Sequence, residues 1–299
     1  MIDTGVTAPV PKASATAQGA EASLRCGRYR LSLTKPLVMG IVNLAPDSFS
    51  GDGRACTDAA LHYAEAQLSA GADLLDLGAE STRPGSVGIS ADEELQRLMP
   101  LLERLSGCGV PISVDTCKAA VMREALAAGA DMINDIMALR MPGALENVRD
   151  TDCAVCLMHM QGRPATMQIK PTYEDVSREV GNFLADRKHA CIDAGIDAER
   201  LLLDPGFGFG KTLQHNLALF RALPQLSALG RLLVGVSRKS LVGQLTGRGI
   251  AERLPGSVAA SLLAAQAGAK VLRVHDVGAT CDALAVWQGV DGTSGQVIH

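Results

Sequence analysis

The chain has 299 residues, 47% of them hydrophobic and 20% charged, with a formal net charge of −4. That much apolar material fills a complete core, and an acidic balance without a basic cluster gives a nucleic-acid or anionic-membrane role no electrostatic support. Aromatic residues make up only 3% while glycine is plentiful at 31 residues, a balance that suits helices packed closely on a parallel sheet.

Residues 1–23, rich in Ala, Ser, Thr and Pro and lacking hydrophobic periodicity, read as a disordered tail. They have no basic start followed by an apolar run, so they do not form a secretory signal. No stretch approaches the ~18 consecutive apolar residues of a membrane span. A cytoplasmic protein is expected. No linker separates two compositions in residues 24–299, which read as one domain, since α/β barrels commonly form a single unit of this size.

Strands are expected near Leu37–Leu44, Asp73–Gly78, Pro111–Asp115, Asp131–Asp135, Ala154–His159, Leu201–Asp204, Leu232–Ser237 and Lys270–His275, with helical patterns between them. The repeat Ala70-Gly71-Ala72-Asp73, Ala128-Gly129-Ala130-Asp131 and Ala267-Gly268-Ala269-Lys270, with a weaker copy at Ala194-Gly195-Ile196-Asp197, punctuates this alternation. Each glycine follows a helical pattern, where a left-handed residue ends the helix just before a strand. The clearest helix follows the second strand. Ser90 and Glu93 form a capping box there, and Leu95, Leu98, Met99, Leu102 and Leu105 make one apolar stripe. Pro100 within it should bend or interrupt the helix. Eight strands, each followed by a helix, predict an α/β fold of the (β/α)8 TIM-barrel type.

The eight cysteines, at positions 26, 56, 108, 117, 153, 156, 191 and 281, are scattered and read as reduced. Cys153 and Cys156 fall in an apolar strand pattern whose alternation puts them on opposite faces, so they are not a redox pair or a zinc site.

Strands inside such a barrel should be uninterrupted apolar runs. Here nearly every run ends in polar residues: Asn43, Asp76 and Glu80, Asp115, Asn134 and Asp135, His159, Asp204, Ser237 to Lys239, and Arg273 to His275. Polar groups gathered at the carboxyl ends of barrel strands read as an active site. Asp115, Asn134 and Asp204 supply acceptors and Lys239 a positive donor. This set suits a flat heterocycle with an amino-pyrimidinone edge. Arg273 and His275 are two apart on one strand and, with Arg83, form a candidate pyrophosphate clamp. The long polar connections Asn43–Gly53 and Glu80–Ser86 have the composition of lids, and Phe49 offers the first of them an aromatic for stacking.

Two lookalikes fail. Gly206-Phe-Gly-Phe-Gly210-Lys211-Thr212 misses a phosphate-binding G-x-x-x-x-G-K-T loop because position 205 is Pro205, and it misses G-x-G-x-x-G because position 211 is Lys211. No Cys/His cluster supports zinc. His62 and His189 sit in helical patterns as ordinary surface or boundary residues.

The segments Gly40–Phe49, Glu80–Gly85, Ser113–Lys118, Ile133–Asp135, Leu203–Lys211, Ser237–Lys239 and Arg273–Asp276, in this order, resemble the motif series of bacterial dihydropteroate synthases, from about Leu24 to Val286. That resemblance implies a transferase of folate biosynthesis and a sulfonamide target. The enzyme would join 6-hydroxymethyl-7,8-dihydropterin pyrophosphate to 4-aminobenzoate, releasing pyrophosphate by dissociative displacement, in a homodimer. It further implies that Asp115, Asn134, Asp204 and Lys239 hold the pterin, with Met158 lining its pocket and Phe209 stacking near Lys239. Asn43 would bind Mg²⁺. Thr82, Arg83, Arg273 and His275 would hold the phosphates, while Phe49, Pro84 and Ser240 form the 4-aminobenzoate pocket. Arg273, His275 and Lys239 would carry the catalysis. The chain departs from the commonest form at Ala45, where Thr is usual, and at Gly51-Asp52-Gly53, which shifts a first-loop carboxylate by one residue.

Two other readings compete. A methyltransferase of the related pterin-binding barrels would share the Asp/Asn set but has no use for Glu80–Gly85 or the Arg273/His275 pair. A non-catalytic pterin-binding paralogue would not need complete phosphate ligands.

Overall fold

The computed structural model describes residues 23–44, 53–81, 86 and 88–292; the tail expected at residues 1–23 lies outside them apart from Ser23. Eight strands form a closed barrel in the order β10-β3-β4-β5-β6-β7-β8-β9, and every neighbouring pair runs parallel. They are β3 (Leu37–Asn43), β4 (Leu74–Gly78), β5 (Ile112–Asp115), β6 (Met132–Asp135), β7 (Ala154–Met158), β8 (Leu201–Asp204), β9 (Leu232–Val234) and β10 (Ala269–Val274). All eight expected strands are present with small shifts at their ends, the largest at β9, which stops at Val234. The (β/α)8 expectation holds.

Both faces of each strand are covered, and this explains the continuous apolar runs. Leu37, Met39, Leu74, Met132, Cys156, Leu202, Leu233 and Val271 fill the barrel interior. Val38, Val42, Leu75, Leu77, Val114, Ile133 and Val155 pack outward under the helices. The repeated glycines act as expected: Gly71, Gly129, Gly195 and Gly268 adopt φ of 96°, 97°, 97° and 102°. Beyond three of them the next backbone N–H bonds back into the finished helix, Ala72 to Gln67, Ala130 to Ala125 and Ile196 to Cys191.

A two-stranded antiparallel hairpin, β1 (Ser23–Cys26) and β2 (Tyr29–Ser32), precedes the barrel. No expectation drawn from the sequence includes it, and the tail boundary expected at residue 23 falls inside β1. Leu24, Cys26 and Leu33 join the interior cluster with Leu37 and Leu74, so the hairpin stoppers the amino end of the barrel. The carboxyl end is the one left for a site.

Pro100 neither ends nor divides its helix, which runs from Ala91 to Leu105. Pro100 is on the exposed side, where a carbonyl that loses its helical partner is satisfied by water, and Leu98, Leu101, Leu102 and Leu105 bury the opposite stripe. Only half of the expected capping box forms. The Ser90 hydroxyl accepts from Glu93 N at 3.1 Å, while the Glu93 carboxylate pairs with Arg97. Cys156 lies in the barrel interior and Cys153 in the outer core, and all seven described cysteines are free.

Candidate active site

Side chains that follow β-strand alternation into the barrel meet at its carboxyl end. Asp115 closes β5, Asn134 lies in β6, Met158 and Asp204 close β7 and β8, and Arg273 lies in β10. Arg273 spans the group. Its Nε donates to Asp76 Oδ2 at 2.5 Å and its Nη2 to Asp115 Oδ2 at 2.8 Å, while Asn134 Nδ2 donates to the same Asp76 oxygen at 3.1 Å. Lys239 Nζ donates to Phe207 O at 2.7 Å and lies 4.8 Å from the centre of the Phe209 ring. Gly235 keeps this corner open: a Cβ there would lie 3.7 Å from Arg273 Cβ and 3.8 Å from Lys239 Nζ. Asp204 accepts from Gly206 N at 2.7 Å, which fixes one oxygen.

Burial sets the charges. It pushes the Asp115 carboxyl up to about 7, opposed by Arg273 and reinforced by Asp76. It raises Asp204 as well, with Lys239 opposing. It brings Lys239 down to about 8 against the pull of Asp204. Burial also works against the Arg273 charge, but Asp76 and Asp115 outweigh it and hold the guanidinium above its ordinary range.

Around these polar groups stands an apolar wall. Ile136, Met158, Met160 and Met167 cluster with Cys117, Met137 and Phe209, and their polarisable thioethers suit the face of a flat ring. Met158 and Phe209 thus share one cluster, and Phe209 lies beside Lys239. Asn43 closes β3, and its Oδ1 and Asp115 Oδ2 face Gly78, 3.7 and 3.8 Å from where a Cβ would lie.

His275 follows β10 with its Nδ1 3.1 Å from Ser237 Oγ, and its carbonyl accepts from Gln67 Nε2 at 2.9 Å and Tyr63 OH at 3.2 Å. Burial, and then the Arg273 charge, lower it to about 4. The ring is therefore neutral near pH 7, able to donate a hydrogen bond but not to act as a cation. Ser240 opens the helix Ser240–Thr246 and is exposed. Just before it, Arg238 adopts φ 58°. Its guanidinium bonds both oxygens of Asp276, Nε at 3.0 Å and Nη2 at 2.5 Å, and its backbone N–H donates to Ser257 Oγ at 2.9 Å. That anchoring ties the turn that presents Lys239 to the end of β10. Phe49, Thr82, Arg83 and Pro84, with both expected lids in large part, lie outside the described residues.

Two polar strand ends, Asp135 and His159, support the site without forming it. The Asp135 carboxylate accepts from Met137 N and Leu139 N, both at 2.7 Å, holding a turn through left-handed Ala138 and Leu139. Lys211 is buried, and its Nζ donates to Gly206 O at 2.9 Å and Phe209 O at 3.0 Å and lies 3.0 Å from His159 Nδ1. The lysine of the failed phosphate-loop lookalike therefore braces its own loop. Asp76 is a site residue that the sequence marks only as a polar strand end. It is wholly buried, accepts from two site residues, and leaves Oδ1 without a partner. Its place two residues before Gly78, the register partner of Asp115, is the signal that aims it inward. An open depression lined by Gly27, Arg123, Asp131 and Asp152 lies at the opposite, amino end and contains none of these groups.

Residues 39–275 match the sequence model of the pterin binding enzymes. The dihydropteroate synthase of Neisseria meningitidis serogroup B is 53% identical over 275 residues, covering 89% of this chain and 96% of that protein. The chain belongs to the dihydropteroate synthase family. Among solved members, the Xanthomonas albilineans dihydropteroate synthase with 4-aminobenzoic acid superposes with a TM-score of 0.85 at 51% identity, covering 91% of this chain and 98% of that one. The same enzyme in complex with 7,8-dihydropteroate gives 0.81 at 48% identity, covering 90% and 98%. The family match at residues 39–275 includes every described site residue.

Proposed function

We propose that the Asp115, Asn134, Asp204, Lys239 and Arg273 cluster is the pterin site of this family member. As a dihydropteroate synthase family member the chain is a transferase. It condenses 6-hydroxymethyl-7,8-dihydropterin pyrophosphate with 4-aminobenzoate, giving 7,8-dihydropteroate and pyrophosphate. The observation that carries the assignment of residues is the convergence of five side chains from five strand ends on one interior space.

The roles follow from the donor and acceptor inventory. Asp115 and Asp204, as carboxylates, accept the ring's N–H groups in paired charge-assisted bonds, and Asn134 both donates and accepts. Lys239 donates to ring heteroatoms, and Met158 and Phe209 cover the ring faces. Arg273 and Arg83 neutralise charge as pyrophosphate departs, while Thr82 holds the phosphates and His275 donates a neutral hydrogen bond to them. Phe49, Pro84 and Ser240 form the 4-aminobenzoate pocket, which aligns the aniline nitrogen for attack on a methylene made cationic by delocalisation into the ring. No enzyme nucleophile enters.

No group of three His, Cys, Asp or Glu able to cage a metal occurs among the described residues. The Asn43 amide oxygen, opening at the mouth beside Asp115, nevertheless fits Mg²⁺. That ion favours hard oxygen donors, keeps several waters and takes substrate phosphates as ligands. When bound, Mg²⁺ supplies further neutralisation of the leaving pyrophosphate.

We also read residues 24–299 as one domain, active in the cytoplasm as a homodimer, with no nucleic-acid or membrane partner. Among the described residues no helix is long and apolar enough to cross a membrane. Helices Leu254–Gln266 and Val277–Val290 pack side by side. They and the segment before them leave Leu245, Ile250, Leu254, Leu263, Val286 and Val290 exposed, and such an apolar collection suits a partner copy.

Calorimetric titration with free pterin tests the site. Binding by the native chain that is lost in both Asp115→Asn and Asp204→Asn supports the assignment. Equal affinity in all three proteins contradicts it.

A further inference from the structure

Lys118 lies outside the cup, three residues beyond Asp115, and carries the chain into the helix Ala119–Ala127. Its ammonium contacts two carboxylates from different elements, Glu80 Oε2 just after β4 and Glu94 Oε2 at 2.5 Å in the helix Ala91–Leu105. Glu94 is 1% exposed, and Lys118 is the cation that neutralises it. The other oxygen of Glu80, Oε1, accepts from Ile89 N at 3.2 Å. Glu80 and Ile89 bracket the connection between β4 and the next helix, so one carboxylate bonds that connection's far end and, through Lys118, the segment that leaves Asp115. The packing at Gly88 is correspondingly close, with a Cβ there meeting Glu80 Oε1 at 2.9 Å. Arg97 adds a second tie to the same stem, its Nη1 donating to Ala79 O at 3.2 Å.

We propose that Lys118, with Glu80 and Glu94, is a positioning residue that sets the stem of the second βα connection against the Asp115 segment, and so governs capture of 4-aminobenzoate. The inference rests on the functional reading above, which gives Thr82, Arg83 and Pro84 to the phosphates and the 4-aminobenzoate pocket. None of the three clamp residues touches the reacting atoms. An ion triad with Glu94 buried and Lys118 and Glu80 only partly exposed is a costly way to gain stability alone, because desolvation offsets much of its attraction, whereas it fixes the relative placement of three elements well. A displacement of ~1 Å at a substrate-positioning segment is enough to cost on the order of a hundredfold in rate.

The test uses the full chain in three forms: Lys118→Met; Lys118→Met with Glu94→Gln, which removes the unpaired buried charge and keeps a folded variant available; and Lys118→Arg. Steady-state kinetics for each substrate, free-pterin binding and hydrogen exchange of the amides around Ile89 are measured together. The clamp predicts that the double variant raises the KM for 4-aminobenzoate by about tenfold or more, leaves free-pterin affinity within about threefold, and exchanges faster at Ile89. Lys118→Arg restores most of the 4-aminobenzoate KM. Parallel loss of both affinities, or unchanged KM and exchange in the double variant, overturns the proposal. Absence of turnover in the native chain, with faster exchange in the variant, would fail the functional reading while leaving the clamp's positioning intact.

Discussion

Arg273 Nη2 lies 2.8 Å from Asp115 Oδ2, which joins a residue assigned to the phosphates directly to one assigned to the pterin. Asp76 completes the arrangement by holding the same guanidinium through Nε and fixing Asn134. Asp76→Ala therefore leaves a largely buried cation with Asp115 as its remaining carboxylate and frees an amide that the pterin must meet. The expected cost is about 1–3 kcal/mol of stability, less than for a buried charge left with no partner, together with a fall in kcat/KM for the pterin substrate. Urea unfolding and steady-state kinetics check both. A variant with native stability and native kcat/KM would show Asp76 to be idle.

Pterin affinity should follow a bell in pH. Asp115 accepts N–H donors only when ionised, and its carboxyl sits up at about 7; Lys239 donates as an ammonium only below about 8. Affinity rises through the first value and falls through the second, and the two belong to the coupled cluster. Lys239→Arg should abolish the upper limb and keep the lower one. The stability of the free protein runs the other way. The Asp115 pKa is raised on folding, so its contribution is present at low pH and lost as pH rises through about 7. The Lys239 pKa is depressed, so its contribution is present at high pH and lost as pH falls through about 8. Both groups thus favour folding least in the window where they bind best. Calorimetry across this range checks the affinity, and a flat native profile would count against both assignments.

Gly206→Ala should damage the loop that carries Phe207 and Phe209. Gly206 has φ +69°, and a Cβ would come 1.9 Å from His159 O, so backbone must move. A loss of at least about 2 kcal/mol is expected from strain alone, with Lys211 losing its hold on Gly206 O. An unchanged unfolding midpoint would contradict this account of the loop.

The barrel was legible because its signals are local and repeated: four helix-ending glycines and eight apolar runs with polar tips. The site's membership was legible for the same reason, since Asp115, Asn134, Asp204 and Arg273 stand where runs turn polar. What did not show was partnership. Which carboxylate Arg273 takes depends on barrel closure, which places β10 across from β5. The hairpin escaped because four-residue strands carry too little periodicity to register. Pro100 misled because its penalty depends on whether the freed carbonyl meets water, and that is a tertiary fact. The roles of His159, Asp135 and Lys211 depend on loop carbonyls and amides that carry no residue-type signal.

The exposed apolar surface predicts self-association. Sedimentation of the native chain at micromolar concentration should give a dimer, and Leu263→Glu with Val286→Glu should give a folded monomer, because a charge facing its own copy is both desolvated and repelled. A native monomer, or a doubly substituted dimer, would rule out this face.

Pyrophosphate release that depends on 4-aminobenzoate, followed in a coupled assay with pterin pyrophosphate, tests the central claim most directly. The account predicts turnover by the native chain only when both substrates are present, and its loss in Asp115→Ala and Lys239→Ala through failed pterin binding. Pterin binding without any release, or near-native kcat/KM in both variants, would contradict it.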